Sequence, residues 1–93
     1  MEDRISEWKF FSTQVEQYIT DFTISKYGRT GVDLMDLTPP MIAVWNIFKY
    51  CWRLWNGKGK KGDLFKIAHY AQMAFSKLEK EKSSEKDLVG MLQ

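Results

Sequence analysis

One cysteine, one histidine, two prolines and no long apolar run set the first limits on this 93-residue chain. A lone Cys51 excludes an intramolecular disulfide and a zinc site built from several cysteines. No stretch approaches the roughly 18 apolar residues of a membrane span, so no membrane segment is expected. The start, Met1-Glu-Asp-Arg-Ile-Ser-Glu, is acidic and lacks the charged-then-apolar order of a signal peptide. A cytoplasmic protein is the expectation. The length allows one domain, residues 1–93, with no room for a second core.

Aromatic residues are abundant instead. Four Trp, six Phe and four Tyr in so short a chain predict that some are exposed, or are buried only in a homo-oligomer. Charge is unevenly spread. Residues 1–36 carry four basic and seven acidic residues, and residues 77–87 carry four of each. Between Lys49 and Lys66 lie Lys49, Arg53, Lys58, Lys60, Lys61 and Lys66 against the single acid Asp63, a local charge of +5. A net charge of +2 thus conceals one concentrated cationic region, which points to an anionic ligand more than to a generally basic protein.

The periodicity predicts an all-α, three-helix domain. Trp8, Phe11, Val15, Tyr18, Ile19 and Phe22 give helical spacing over about 6–24, with Ser6 as N-cap. Gly28 and Gly31 mark a loop, and Val32 to Leu37 lead into the next element. Thr38-Pro39-Pro40 starts a second helix over about 38–56, with Thr38 as N-cap, and Asn56-Gly57 stops it. Its apolar stripe is Met41, Val44, Trp45, Phe48, Cys51, Trp52 and Trp55, read as core, as are Trp8 and Cys51. The third helix, about 63–82, begins at Asp63 as cap. It has an apolar face of Leu64, Ile67, Ala68, Ala71, Ala74, Phe75 and Leu78 and a second stripe of Asp63, Lys66, Tyr70 and Lys77. Residues 83–93 read as a flexible or short-helical tail. A connection of about six residues makes the second and third helices an antiparallel hairpin.

That hairpin brings Lys49 and Arg53 towards Lys66 and Tyr70, with Lys60 and Lys61 on the turn. Arg53 suits a phosphate with its two-pronged guanidinium, the lysines supply mobile charge, and Tyr50 and Tyr70 can stack on a base. The glycines at 57, 59 and 62 would let a phosphate approach the backbone. The same residues also read as a structural lock in which Arg53, Lys49 and Lys66 pair with Asp63. Gly57 and Gly62 have the glycine spacing of a Walker loop, but Asp63-Leu64 stands where Lys-Ser/Thr is required, and a helix precedes it instead of a strand. Clustered acids for magnesium are missing, which argues against a pyrophosphohydrolase. His69 and Cys51 have no visible triad partner, so no catalytic set, metal or cofactor is implied. Nucleic acid is a weak candidate, since a contact of about five phosphates would be steeply salt-sensitive.

Asn46-x-x-Lys49-Tyr50-x-Trp52-Arg53, a short Gly/Lys turn, then Asp63-Leu64-x-Lys66-x-x-x-Tyr70 resembles a family of small helical phage domains. Some members of that family are labelled nucleotide-kinase-like or nucleotide-modification-associated. The resemblance implies a phage-encoded protein that handles nucleotides inside the bacterial host. It also implies a site drawn from Asn46, Lys49, Tyr50, Arg53, Asp63, Lys66 and Tyr70. Trp55 and the lysine-rich turn depart from the family pattern. The alternative function is a non-enzymatic phage effector that binds and inhibits a host protein or sequesters a signalling nucleotide. Convergence of Lys49, Arg53, Lys66 and Tyr70 on one pocket favours the first; an exposed Trp or Phe patch away from the hairpin favours the second.

Overall fold

The computed structural model describes residues 3–30 and 35–92, with side chains as far as Glu81. Every regular element among them is helical. The first helix, α1 (Arg4–Tyr18), starts two residues earlier than Ser6 because Asp3 is the better acceptor. The Asp3 carboxylate takes the Ser6 hydroxyl at 2.9 Å and the backbone N–H groups of Ile5 and Ser6 at 2.8 and 3.1 Å. Those bonds, the Ser6 hydroxyl first, hold its carboxyl below the usual carboxylate range. Ser6 therefore donates to the cap and is not the cap itself.

Beyond Tyr18 the chain widens into a π-helical turn, Ile19–Ile24, and closes with a short α2 (Ser25–Tyr27) at Gly28, whose φ is +88°. The sequence predicts ordinary helix here. The β-branched run Ile19, Thr20, Thr23 and Ile24 crowds an α-helical turn, and the Thr20 hydroxyl donates back to the Glu16 carbonyl at 2.9 Å. The wider turn has a consequence for the cleft. At about 100° per residue Tyr27 would lie half a turn away from Tyr18. The i→i+5 turn brings both onto one wall.

Of the expected lead-in from Val32, only the part beyond residue 34 falls within the described residues. A 3₁₀ turn, Met35–Leu37, precedes α3 (Pro40–Trp55). Pro39 in an extended conformation occupies the N-cap position and Pro40 the first helical position, so Thr38 does not cap α3. Its hydroxyl donates to the Met35 carbonyl at 2.7 Å. Lys77 Nζ donates to the carbonyls of Met35 and Thr38 and to the Thr38 hydroxyl, fastening this entry segment to the last helix.

Helix α4 runs from Lys61 to Leu92. Asp63 lies at its third position and caps it from within, accepting the Lys60 backbone N–H at 3.0 Å. The helical backbone also continues past the expected end near residue 82. With 32 residues, α4 is about 48 Å long against about 24 Å for the 16-residue α3. This accounts for the 51 Å long dimension of the molecule. The fold is thus all-α, with three long helices and an antiparallel α3–α4 hairpin whose α4 meets α1.

The hairpin is closed on α4 by the stripe that the sequence marks as polar, and on α3 by a narrow face of small and aliphatic residues with Tyr50. Helix α3 turns Pro40, Ala43, Ile47, Tyr50 and Leu54 inward, and α4 turns Asp63, Lys66, Ile67, Tyr70 and Ala74 inward. The expected core stripe of α3 faces solvent: Trp45, Phe48, Trp52 and Trp55 are 66, 64, 69 and 85% exposed. Trp8 and Cys51, also expected in the core, are exposed. Leu64, Ala71, Phe75 and Leu78 of α4 are exposed with them. Among the described residues Ala43, Ala74 and Pro40 are the buried apolar ones.

The turn depends on two glycines for different reasons. Gly57 ends α3 at φ +71°, while Lys58 N–H and Gly59 N–H both donate to the Arg53 carbonyl at 2.9 and 3.0 Å. A Cβ on Gly59 would lie 2.8–2.9 Å from the Leu54 side chain and 2.9 Å from its backbone nitrogen. Gly57→Ala should cost about 1–2 kcal/mol, with about 4–8 °C of Tm per kcal/mol in a domain of this size. Gly59→Ala should cost more, because the clash involves backbone. Thermal melts followed by circular dichroism check both, and equal or raised Tm values would contradict this account of the turn.

Candidate functional site

Asp63 is the hub of the hairpin. Its residue is 4% exposed, and a buried carboxylate needs partners to offset its lost hydration. The last turn of α3 supplies Arg53, with Nε 3.7 Å from Oδ2. Helix α4 supplies Lys66, with Nζ 3.8 Å from Oδ1, and the turn supplies the Lys60 N–H. The lock anticipated between Arg53, Lys66 and Asp63 therefore forms, without Lys49.

One turn further along, Tyr50 of α3 stacks on Tyr70 of α4, with ring centroids 6.0 Å apart and planes 20° from parallel. Three cations gather round the Tyr50 ring: Lys49 Nζ at 4.9 Å, Lys66 Nζ at 5.0 Å and the Arg53 guanidinium at 6.0 Å from its centroid. The negative face of the phenol ring is what tolerates this crowding. Three cations against the one Asp63 carboxylate leave an unneutralised positive surplus beside the two rings. Burial pushes the Tyr70 phenol above its ordinary 10.0, and the neighbouring Tyr50 adds to the shift. Burial also raises Tyr18, with smaller contributions from the nearby Tyr50 phenol and the Asp63 carboxylate.

Both rings open onto a cleft of roughly 840 Å³ between the α1–π–α2 arm and the hairpin. Its far wall is aromatic, with Tyr18, Phe22 and Tyr27 from the arm and Phe65 from α4. Phe65 is the joint between the two parts, 5.9 Å from the Phe11 ring and 6.4 Å from Tyr18. Lys26, Lys60 and Lys66 bring cations to its lining, and Gly62 leaves open space there.

Tyr50, Lys60, Asp63, Lys66 and Tyr70 line this cleft, and Lys49 and Arg53 stand behind Tyr50. Asn46 is elsewhere, its side-chain amide donating to the Ile42 carbonyl at 2.9 Å on its own helix. Lys61, the exposed first residue of α4, is not part of the lining. Sequence reasoning missed the contribution of the arm, because Tyr18 and Phe22 read as core of the first helix and the π turn has no periodic signal. Lys26-Tyr27 just before a glycine was the available clue. A second, more polar cleft of roughly 730 Å³ lies beyond Met73, around Lys77 and the 3₁₀ turn. Among the described residues no three His, Cys, Asp or Glu side chains gather as a metal site. No helix of the described residues is long and apolar enough to cross a membrane.

Comparison with protein-family models, with curated proteins and with solved structures finds no match to this chain. The reading of the site therefore rests on its own geometry.

Two outcomes follow from the hub. Asp63→Ala should destabilise by about 2 kcal/mol, since it removes a charge-assisted cap and strands Arg53 beside Lys66. Arg53→Ala should cost about 1 kcal/mol or less, its side chain being half exposed. The reverse order in denaturant titrations would contradict the hub. Tyr18 and Tyr70 should ionise above the ordinary tyrosine value. Because the folded state retains those protons after the unfolded chain releases them near pH 10, stability should be full below pH 10 and fall as pH rises through the raised values. Phenolate absorbance alongside stability against pH checks this, and Tyr18 and Tyr70 both titrating normally in the folded protein would refute it.

Proposed function

We propose that the chain binds a nucleotide, or another ligand joining an aromatic ring to phosphate, in the cleft between the α1–π–α2 arm and the α3–α4 hairpin. The observation that carries this reading is the pairing of aromatic walls with cations in one cleft of roughly 840 Å³. Small-molecule sites usually occupy about 300–1,000 Å³ and combine apolar walls with a few placed polar groups. Tyr18, Phe65 and Tyr70 offer ring faces to a base. Lys60 and Lys66 offer charge to phosphate, with Arg53 and Lys49 adding to the field. Binding is the function proposed.

A second reading has one specific observation behind it. A row of exposed aromatic residues lies along α3, away from the cleft. A non-enzymatic effector that engages another protein would use such a surface.

Calorimetric titration with mono-, di- and triphosphate nucleotides, cyclic nucleotides and inorganic phosphate tests the first reading. Lys60→Ala is the informative variant, because Lys60 holds the fold through its backbone N–H and its side chain is free to be removed. The expected result is saturable binding of a nucleotide, weakened about tenfold, or about 1.4 kcal/mol, in Lys60→Ala. At one hundred times Kd the ligand should also stabilise the fold by about 2.7 kcal/mol. Absence of any nucleotide or phosphate binding, with the fold intact, would leave the cationic cluster as a lock and nothing more.

A further inference from the structure

The side of the hairpin turned away from α1 is apolar along its whole length. On α3 the exposed residues Met41, Trp45, Phe48, Trp52 and Trp55 recur at intervals of four, three, four and three. On α4, Leu64, Ala68, Ala71, Phe75 and Leu78 repeat the same intervals, Ala68 alone being half-buried. No charged residue interrupts either row. At about 100° per residue the α4 row is centred a little over a quarter of a turn from Phe65, the residue that meets α1, and Leu64, Ala71, Phe75 and Leu78 are exposed, so α1 does not cover it. The α3 row likewise points away from Tyr50, which faces the cleft. Both rows are about 21 Å long and run antiparallel, side by side.

From the match between these rows we infer that the face is the interface of a homodimer, its occupant a second copy of this chain. Three observations select that occupant. The first is extent. With aromatic side chains of 150–250 Å² each, the exposed parts of the two rows expose on the order of 1,000 Å². That exceeds the largest apolar patch of an ordinary monomer, about 300–600 Å². It meets the roughly 800 Å² per partner of a stable interface.

The second is the seven-residue repeat, the pattern by which helices pack knobs into holes. The third is self-complementarity in size. The α3 row is bulky, with three Trp, a Phe and a Met, whereas the α4 row has two Ala at its centre. A two-fold axis parallel to the hairpin seats α3 of each copy on α4 of the other, antiparallel, so that bulk meets space twice. The result is a four-helix bundle of two hairpins. Phe48 of one copy then stands opposite Ala71 of the other. The clefts remain on the outer faces, so this inference does not depend on the ligand reading.

Sedimentation equilibrium of the full chain tests it, on wild type, Phe48→Lys, Ala71→Glu and the double variant. The wild type should have twice the monomer mass of 11.0 kDa at concentrations on the order of 100 µM. Each single variant should be monomeric, and the double variant should recover the dimer through the new Lys–Glu pair across the axis. A variant-free measurement stands beside it. Cys51, exposed and on the same side of α3, should react with a thiol reagent more slowly as wild-type concentration rises. A wild type that remains at 11.0 kDa, with Cys51 reactivity independent of concentration, overturns the proposal. Binding of such a monomer to phosphatidylcholine vesicles would assign the face to lipid instead. A dimer that persists in both single variants places self-association elsewhere and equally overturns it.

Discussion

The arrangement of this small protein depends on one buried carboxylate. Among the described residues Asp63 is the buried charged group, and the buried apolar residues are two alanines and a proline. A charge withdrawn from water is retained only where partners meet it. Here they come from three consecutive segments: Arg53 at the end of α3, the Lys60 N–H in the turn and Lys66 in the second turn of α4. Each ion pair alone is modest, because the cations are partly in water. Their joint effect is on register. With Arg53 and Lys66 both held to Asp63, the helices cannot slide or rotate past one another without stranding it. Tyr50 is thereby set against Tyr70.

Fixing the α4 polar stripe inward has two consequences on opposite sides of the hairpin. On the α1 side, a lysine, an arginine and a second lysine are held round a single tyrosine ring with one carboxylate to balance them. That surplus is electrostatically unfavourable for the isolated fold and favourable for any anion that enters, which is the usual physical origin of a phosphate site. On the other side the large apolar residues are left facing out. The same carboxylate thus underlies both the proposed site and the proposed interface.

Much of this was legible in the sequence, and the part that was not has a definite cause. Helix number, the hairpin and the cationic cluster follow from 3,4 spacing, from Pro and Gly at the boundaries and from the charge map. The inward face does not. Asp63, Lys66, Tyr70 and Lys77 recur with the same period as Leu64, Ala71, Phe75 and Leu78, so periodicity identifies two stripes without saying which one packs. Hydrophobicity normally decides the matter, and here it points the wrong way for a single chain. The turn at Ile19–Ile24 was hidden for another reason. A π turn differs from a frayed α-helix by one residue of register, and a run of β-branched residues marks both. At the helix starts, Asp3 and Pro39 took the caps expected of Ser6 and Thr38, shifts within the usual ambiguity of boundaries.

The inverted hairpin also links the two proposed properties energetically. A fold held by one ion cluster and a few alanines has little apolar burial to offset the entropy of ordering two helices and an arm. Association of the apolar faces would bury the missing area against a second copy, and mass action would transfer that stabilisation to the hairpin as a whole. The cleft is assembled from that hairpin, since Tyr50, Lys66 and Tyr70 share a wall only while α3 and α4 stay in register. Ligand and second copy would therefore favour the same folded state from opposite faces, without touching each other. Coupling of that kind requires no conformational signal across the hairpin, only a monomer of marginal stability.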